Sequence, residues 1–236
     1  MSDAIVRDVP TSQGLARLHC FSPGPAGATA ASSPGSRPRG TVLLGHGAGG
    51  GVDAADLAAL TALTQHGWAV ALLEQPWRVA GRRIAVAPSR LDEATEQMLG
   101  LVGRLRCAPR PWVLGGRSAG ARVACRLRGH AEALCLIAFP LAPPPRGGRS
   151  PAPRTDELLA PLREGIPTLV MQGERDRFGG PTALTRAVGA ALEHQRSRPC
   201  PDQLGLRVRG YPGDHGPSRD LPALVNEVGA FLDALP

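Results

Sequence analysis

The chain has 236 residues, 42% of them apolar, 20% charged and 3% aromatic. Apolar blocks at this length exclude a disordered chain and suit one domain with a sizeable core; no apolar run reaches the roughly 18 residues of a membrane span, and Met1 to Ser12 is too polar for a signal peptide, so a soluble, cytoplasmic protein is expected. The net charge of +7 comes from 27 basic residues that are all Arg, spread singly through every segment without a block of five, and such dispersion argues against a specific nucleic-acid partner.

Ala4 to Val9 and the alternating Leu15 to Phe21 predict a pair of half-buried strands. Ser22 to Arg39, dense in Pro, Gly, Ser and Ala, predicts a flexible loop. Thr41 to Leu44 is a continuous apolar run, as a central parallel strand buried on both faces requires. Helical spacing covers Asp53 to His66, the apolar run Trp68 to Leu73 follows, and Gln75 to Arg83 is expected as a loop. A helix over Arg90 to Leu105, a strand at Trp112 to Leu114 and a helix over Ala119 to Leu127 come next. Ala133 to Phe139 is a further strand; residues 141–155, rich in Pro and Gly, then read as a short loop at a position open to a lid, and only Thr155 to Leu162 has helical character. Strands at Ile166 to Met171 and Leu204 to Val208 and helices over Pro181 to Leu192 and Asp220 to Leu235 complete the chain. The alternation predicts a single α/β domain over residues 1–236: a mostly parallel sheet of about eight strands flanked by helices. Functional groups in such a sheet belong at the carboxyl ends of its strands.

Those ends carry the chemistry. Gly116-Arg117-Ser118-Ala119-Gly120 matches GxSxG between a strand and an Ala-rich helix, the setting in which a tight turn exposes a nucleophilic serine. A serine nucleophile needs a base and an orienting acid, in the chain order Ser, acid, His. Asp176 follows one later strand in Gly173-Glu174-Arg175-Asp176, with Glu174 its nearest competitor, and His215 follows the last strand in Gly213-Asp214-His215-Gly216. His19, His66, His130 and His194 miss the strand ends.

Gly45-His46-Gly47-Ala48-Gly49-Gly50-Gly51 follows the third strand. It lacks the Lys-Ser/Thr ending of a phosphate-binding loop, and its GxGxxG match has only Glu74 as an acidic partner after the next strand. An oxyanion hole suits it better, built from the backbone N–H groups of Ala48 and Ala119, with His46 holding the loop. Trp77, Arg78 and Arg117 are candidate pocket residues, the arginines suited to an anionic acyl group. The cysteines (Cys20, Cys107, Cys125, Cys135, Cys200) are odd in number, share no CxxC spacing and read as buried hydrophobes in a reducing compartment.

HGAGG, GGRSAGAR, QGERDRFG and GDHG together resemble the small, lid-less, dienelactone-hydrolase-related group of α/β-hydrolases, and more narrowly the branch of the testis-expressed and NSL-complex-subunit proteins and their bacterial relatives. The resemblance runs from Thr41 to the C-terminus. It implies an α/β-hydrolase fold and puts Ser118, Asp176 and His215 at the nucleophile, acid and base positions; dienelactone hydrolases themselves use Cys where this chain has Ser118. The resulting expectation is a hydrolase of ester, thioester or similar acyl bonds that takes a small acyl substrate and needs neither metal nor organic cofactor. The alternative is a non-catalytic interaction protein on the same fold with a vestigial site.

Overall fold

The computed structural model of the protein describes residues 4–23, 37–143, 152–193 and 205–235. Most of the expected loop at 22–39, the middle of that at 141–155, His194 and Cys200 lie outside them.

A hairpin of β1 (Ile5–Thr11) and β2 (Gly14–Phe21) opens the chain. Then come β3 (Thr41–Gly45), α1 (Ala55–Leu60), β4 (Ala69–Glu74), α2 (Pro76–Val79), α3 (Pro88–Val102), β5 (Trp112–Arg117), α4 (Ala119–Arg126), β6 (Ala133–Ile137), α5 (Thr155–Arg163), β7 (Thr168–Gly173), α6 (Pro181–Glu193), β8 (Leu206–Tyr211) and α7 (Leu221–Asp233). The strands form one sheet in the order β1-β2-β4-β3-β5-β6-β7-β8. β1 with β2 and β2 with β4 pair antiparallel, and every later pair is parallel.

The central strands are apolar throughout because both faces are covered, and alternate residues serve alternate cores. Val42, Leu44, Val113, Cys135, Ile137 and Met171 pack with Leu57, Leu60, Val228 and Phe231 of α1 and α7. Leu43, Leu114, Leu134, Leu136 and Val170 pack on the other face with Met98, Ala121, Leu158, Leu184 and Val188 of α3 to α6. Cys20, Cys125 and Cys135 are free and buried in these cores, and burial pushes the thiols up, to about 11 for Cys20 and about 12 for Cys135.

Three expectations need correction. The segment Asp53 to His66 is helical only over α1; Thr61–His66 tightens into a 3-10 helix that ends on Gly67 with φ 80°. The segment Gln75 to Arg83, expected as a loop, begins with the four residues of α2, whose Pro76 suits a first helical turn. β5 extends through Gly115 and Gly116, where the two glycines had suggested that the strand stops at Leu114. A Cβ on Gly115 would lie 1.9 Å from the Cys135 carbonyl oxygen, so here glycine marks close packing of strands, not a turn.

α5 does not stand over the strand ends as a lid would. Leu158, Leu159 and Leu162 are buried in the core, and Arg122 and Arg126 of α4 both pair with Glu157. Arg126 also bonds Asp92 of α3 through two 2.7 Å contacts, which fixes the helix after the GxSxG turn against both neighbours. No helix among the described residues is long and apolar enough to cross a membrane.

Candidate active site

Ser118 sits between β5 and α4 with φ 52° and ψ −103°, a backbone conformation that a non-glycine residue adopts only under strain. Its neighbours explain how the chain tolerates so sharp a turn. A Cβ on Gly116 or Gly120 would stand 2.2 or 2.3 Å from the Gly45 carbonyl oxygen, so only glycine lets β5 and α4 close on the end of β3. The Ser118 N–H donates to the Ile137 carbonyl at 2.9 Å, tying the turn to β6.

The loops after β7 and β8 bring the other two groups to this turn. His215 Nε2 lies 2.8 Å from Ser118 Oγ, and His215 Nδ1 lies 2.8 Å from Asp176 Oδ2. Asp176 is buried and also accepts from the Phe178 N–H at 2.8 Å and from Gln172 Nε2 at 2.9 Å. These donors fix the orientation of the carboxyl group beside the imidazole. The Phe178 ring packs edge-on against His215, with centroids 4.4 Å apart. Glu174 is exposed, with its backbone N–H on the Tyr211 carbonyl, while Asp176 is the acid at the imidazole.

The histidine loop is braced from below. The Gly216 N–H donates to Tyr211 Oη at 3.0 Å, and that hydroxyl donates to the Asp214 carbonyl at 3.3 Å; burial pushes the phenol up, keeping it protonated. Arg117 Nη2 donates to the His215 carbonyl at 3.2 Å, and Arg117 Nε lies 3.4 Å from Asp56 Oδ2. Asp56 is 1% exposed, and its carboxyl is raised above the usual carboxylate range by desolvation, with Arg117 pulling the other way.

The loop after β3 also reaches Ser118, where a Cβ on Gly47 would lie 3.6 Å from the serine Cβ. The buried His46 ring donates from Nδ1 to the Gly47 carbonyl at 2.9 Å and accepts the Gln75 N–H at Nε2, 3.1 Å away. Desolvation lowers its pKa, in keeping with a neutral ring that both donates and accepts. The loop so held presents the Ala48 N–H, and the first turn of α4 presents that of Ala119; neither donates to a partner among the described residues.

The pocket candidates have different surroundings. Trp77 is 3% exposed, with its ring edge-on to His46 at 5.4 Å, and lines a cavity beside the loop after β3. Arg78 is half-buried against Gly51 of the loop after β3, where a Cβ would meet its Nε at 3.0 Å. Arg117 turns beneath the histidine loop toward Asp56. Sequence reasoning missed Asp56 and Gln172. The signals were an acid inside an apolar helical stretch and an amide closing the apolar strand Thr168–Gly173. Among the described residues no group of three His, Cys, Asp or Glu is arranged to hold a metal ion.

Comparison with known proteins places this geometry in a family. No curated protein matches the sequence. Among solved structures, an a/b serine hydrolase without lid from Xanthomonas campestris is 17% identical with a TM-score of 0.68, covering 100% of this chain and 97% of its own. A putative dienelactone hydrolase from Klebsiella pneumoniae is 13% identical with a TM-score of 0.67, over 99% and 100% of the two chains. An esterase from Thermogutta terrifontis is 15% identical with a TM-score of 0.61, over 98% and 93%. At these identities the likeness is one of fold. The model of the alpha/beta hydrolase domain matches residues 38–197, most of the chain from β3 to beyond α6, and the protein belongs to that family.

Proposed function

We propose that the protein is a serine hydrolase of ester, thioester or related acyl bonds. One observation carries this reading: Ser118 Oγ, the His215 ring and Asp176 form a continuous hydrogen-bonded line with 2.8 Å at each step. Ser118 Oγ attacks the acyl carbonyl as His215 Nε2 takes its proton. The carbonyl oxygen, now an anion, faces the unpaired N–H groups of Ala48 and Ala119. Collapse expels the leaving group, which receives the proton from Nε2. A water molecule then repeats the sequence on the acyl-enzyme and frees the acid. Asp176 holds the proton on Nδ1, so that Nε2 is the basic nitrogen, and stabilises the imidazolium as it forms. Nothing in this sequence of steps asks for a metal or an organic cofactor. A reducing, cytoplasmic setting suits the free buried thiols, and the motifs resemble the branch of the testis-expressed and NSL-complex-subunit proteins and their bacterial relatives.

A fluorophosphonate probe tests the assignment. It should label Ser118 in the wild-type protein, and Ser118→Ala should abolish both labelling and ester hydrolysis with the circular dichroism spectrum retained. An unlabelled Ser118, under conditions that label a known serine esterase, would instead make this an interaction protein with a vestigial site.

A further inference from the structure

Behind the Ala48 and Ala119 N–H groups lies a cavity of about 370 Å³, counted with the solvent at its mouth. Gly47, Ala48 and Ala119 form its rim on the side of Ser118, and Leu73, Leu91, Leu114, Ala85 and Val123 give it apolar walls. His215 and Asp176 are not part of it. An acyl carbonyl whose oxygen points at those N–H groups therefore has this cavity beside its alkyl substituent, with the leaving group on the histidine side.

The far wall is unusual. Gln75 and Trp77 line the cavity and also line a second, larger groove of about 970 Å³ on the outer surface, bordered by Leu15, Val86 and Arg90. The two spaces thus share these residues as a common wall, and Trp77 is the larger of the two. The inner space is narrow, with room for about one water-sized group, so it admits about one carbon beyond the carbonyl. Trp77 Nε1 and Gln75 Oε1 are both buried and have no hydrogen-bond partner among the described residues. A tryptophan kept with its N–H unpaired gives up free energy that an apolar ring of similar shape would keep, so its stability does not explain it.

We propose that this cavity is the acyl pocket, that it confines the enzyme to short acyl groups, and that Trp77 is the partition that sets the limit. The proposal rests on the reading of Ser118 as nucleophile. Removing the indole joins the inner cavity to the outer groove and gives longer chains a continuous path, whereas a larger side chain in the wall at Ala85 shrinks the pocket further.

The test is kcat/KM for p-nitrophenyl esters from acetate to octanoate, measured on the full chain alongside fluorophosphonate labelling. The wild type should prefer acetate or propionate and lose about tenfold or more by hexanoate, as an apolar pocket does for each group it cannot seat. Trp77→Ala should raise the octanoate-to-acetate ratio by at least about tenfold, and Ala85→Leu should lower the butyrate-to-acetate ratio. Trp77→Phe removes only the unpaired N–H and part of the wall; it should fold as the wild type does and move the ratio in the same direction by less. That variant keeps the proposal testable if Trp77→Ala does not fold. A wild type that cleaves octanoate as readily as acetate, or a chain-length profile unchanged in Trp77→Phe and Ala85→Leu while Ser118 is labelled, would overturn the pocket and leave the serine hydrolase standing. Absence of both labelling and turnover would remove the hydrolase reading and the pocket with it.

Discussion

Arg117 occupies the variable position of the GxSxG turn, and its surroundings give it a job different from the one its charge suggests. The guanidinium lies between the Asp56 carboxylate and the His215 carbonyl, and a Cβ on Gly216 would stand 2.3 Å from Nη2, so the arginine props the histidine loop at close range. If it selected anionic acyl groups, Arg117→Ala would cost activity only on anionic esters. As a prop, its loss should lower kcat on neutral and anionic esters alike, by about tenfold for the loss of one charge-assisted contact, with KM nearly unchanged. Asp56 provides a second check through pH. Its native carboxyl is raised by desolvation, so the folded state holds that proton more tightly than the unfolded chain does. Stability from this group is present at low pH and is lost as pH rises from the ordinary carboxylate range through the raised native value. Asp56→Asn removes the titration. The melting temperature of the variant relative to wild type should therefore climb with pH across that window; a constant difference would show that Asp56 does not titrate there. The residue types of the proposed triad could be read from the sequence because each follows a strand and their chain order is diagnostic. Asp56 gave a weaker signal, because an acid in the first turn of a helix is commonplace and only the fold brings it to Arg117.

At the scale of elements, the active-site turn depends on three segments closing on one carbonyl. The Gly45 oxygen is the point at which β3, β5 and α4 meet, and Gly120 gives α4 its approach. Gly120→Ala should destabilise the protein by about 1–3 kcal/mol, the usual cost of forcing a methyl into a packed site, because the obstructing atoms are backbone and cannot rotate away. Gly100, exposed in α3 with open space at its Cβ, is the control: Gly100→Ala should stabilise by about 0.5–1 kcal/mol through helix propensity. Chemical denaturation of the two variants measures both, and equal effects would show that Gly120 is not sterically required. The central strands were legible because burial on both faces makes them continuously apolar. Their ends were less so. β5 continues across Gly115 and Gly116, beyond the apolar run that stops at Leu114, because the close approach of Cys135 on β6 requires glycine there. α2 forms over Pro76–Val79, a segment too short to show a helical period, with Pro76 in its first turn.

For the molecule as a whole, the net charge of +7 raises the question of nucleic acid, and the ion pairs bear on it directly. Arg122, Arg126 and Arg128 are paired with Glu157, Asp92 and Glu164, and Arg39, Arg110 and Arg209 with Asp233, Glu132 and Glu227. The paired arginines are thus spread around the molecule, each held by a carboxylate of its own neighbourhood. One grouping lines a groove after α3, where Arg37, Arg104 and Arg106 lie near Arg110. Of these, only Arg110 has a carboxylate partner among the described residues. Three free guanidiniums can neutralise about three phosphates, and each contributes a slope of about −0.9 to log K against log salt. Any DNA affinity should therefore fall with a slope no steeper than about −3 and be independent of sequence, because phosphate contacts carry no base information. Fluorescence anisotropy with two unrelated duplexes, titrated across about 0.05–0.2 M salt, measures both quantities. A steeper slope, or a preference between the duplexes that persists near 0.15 M salt, would mean that a basic surface larger than this groove is engaged, and the dispersion of arginine would then be no guide to the partners of this protein.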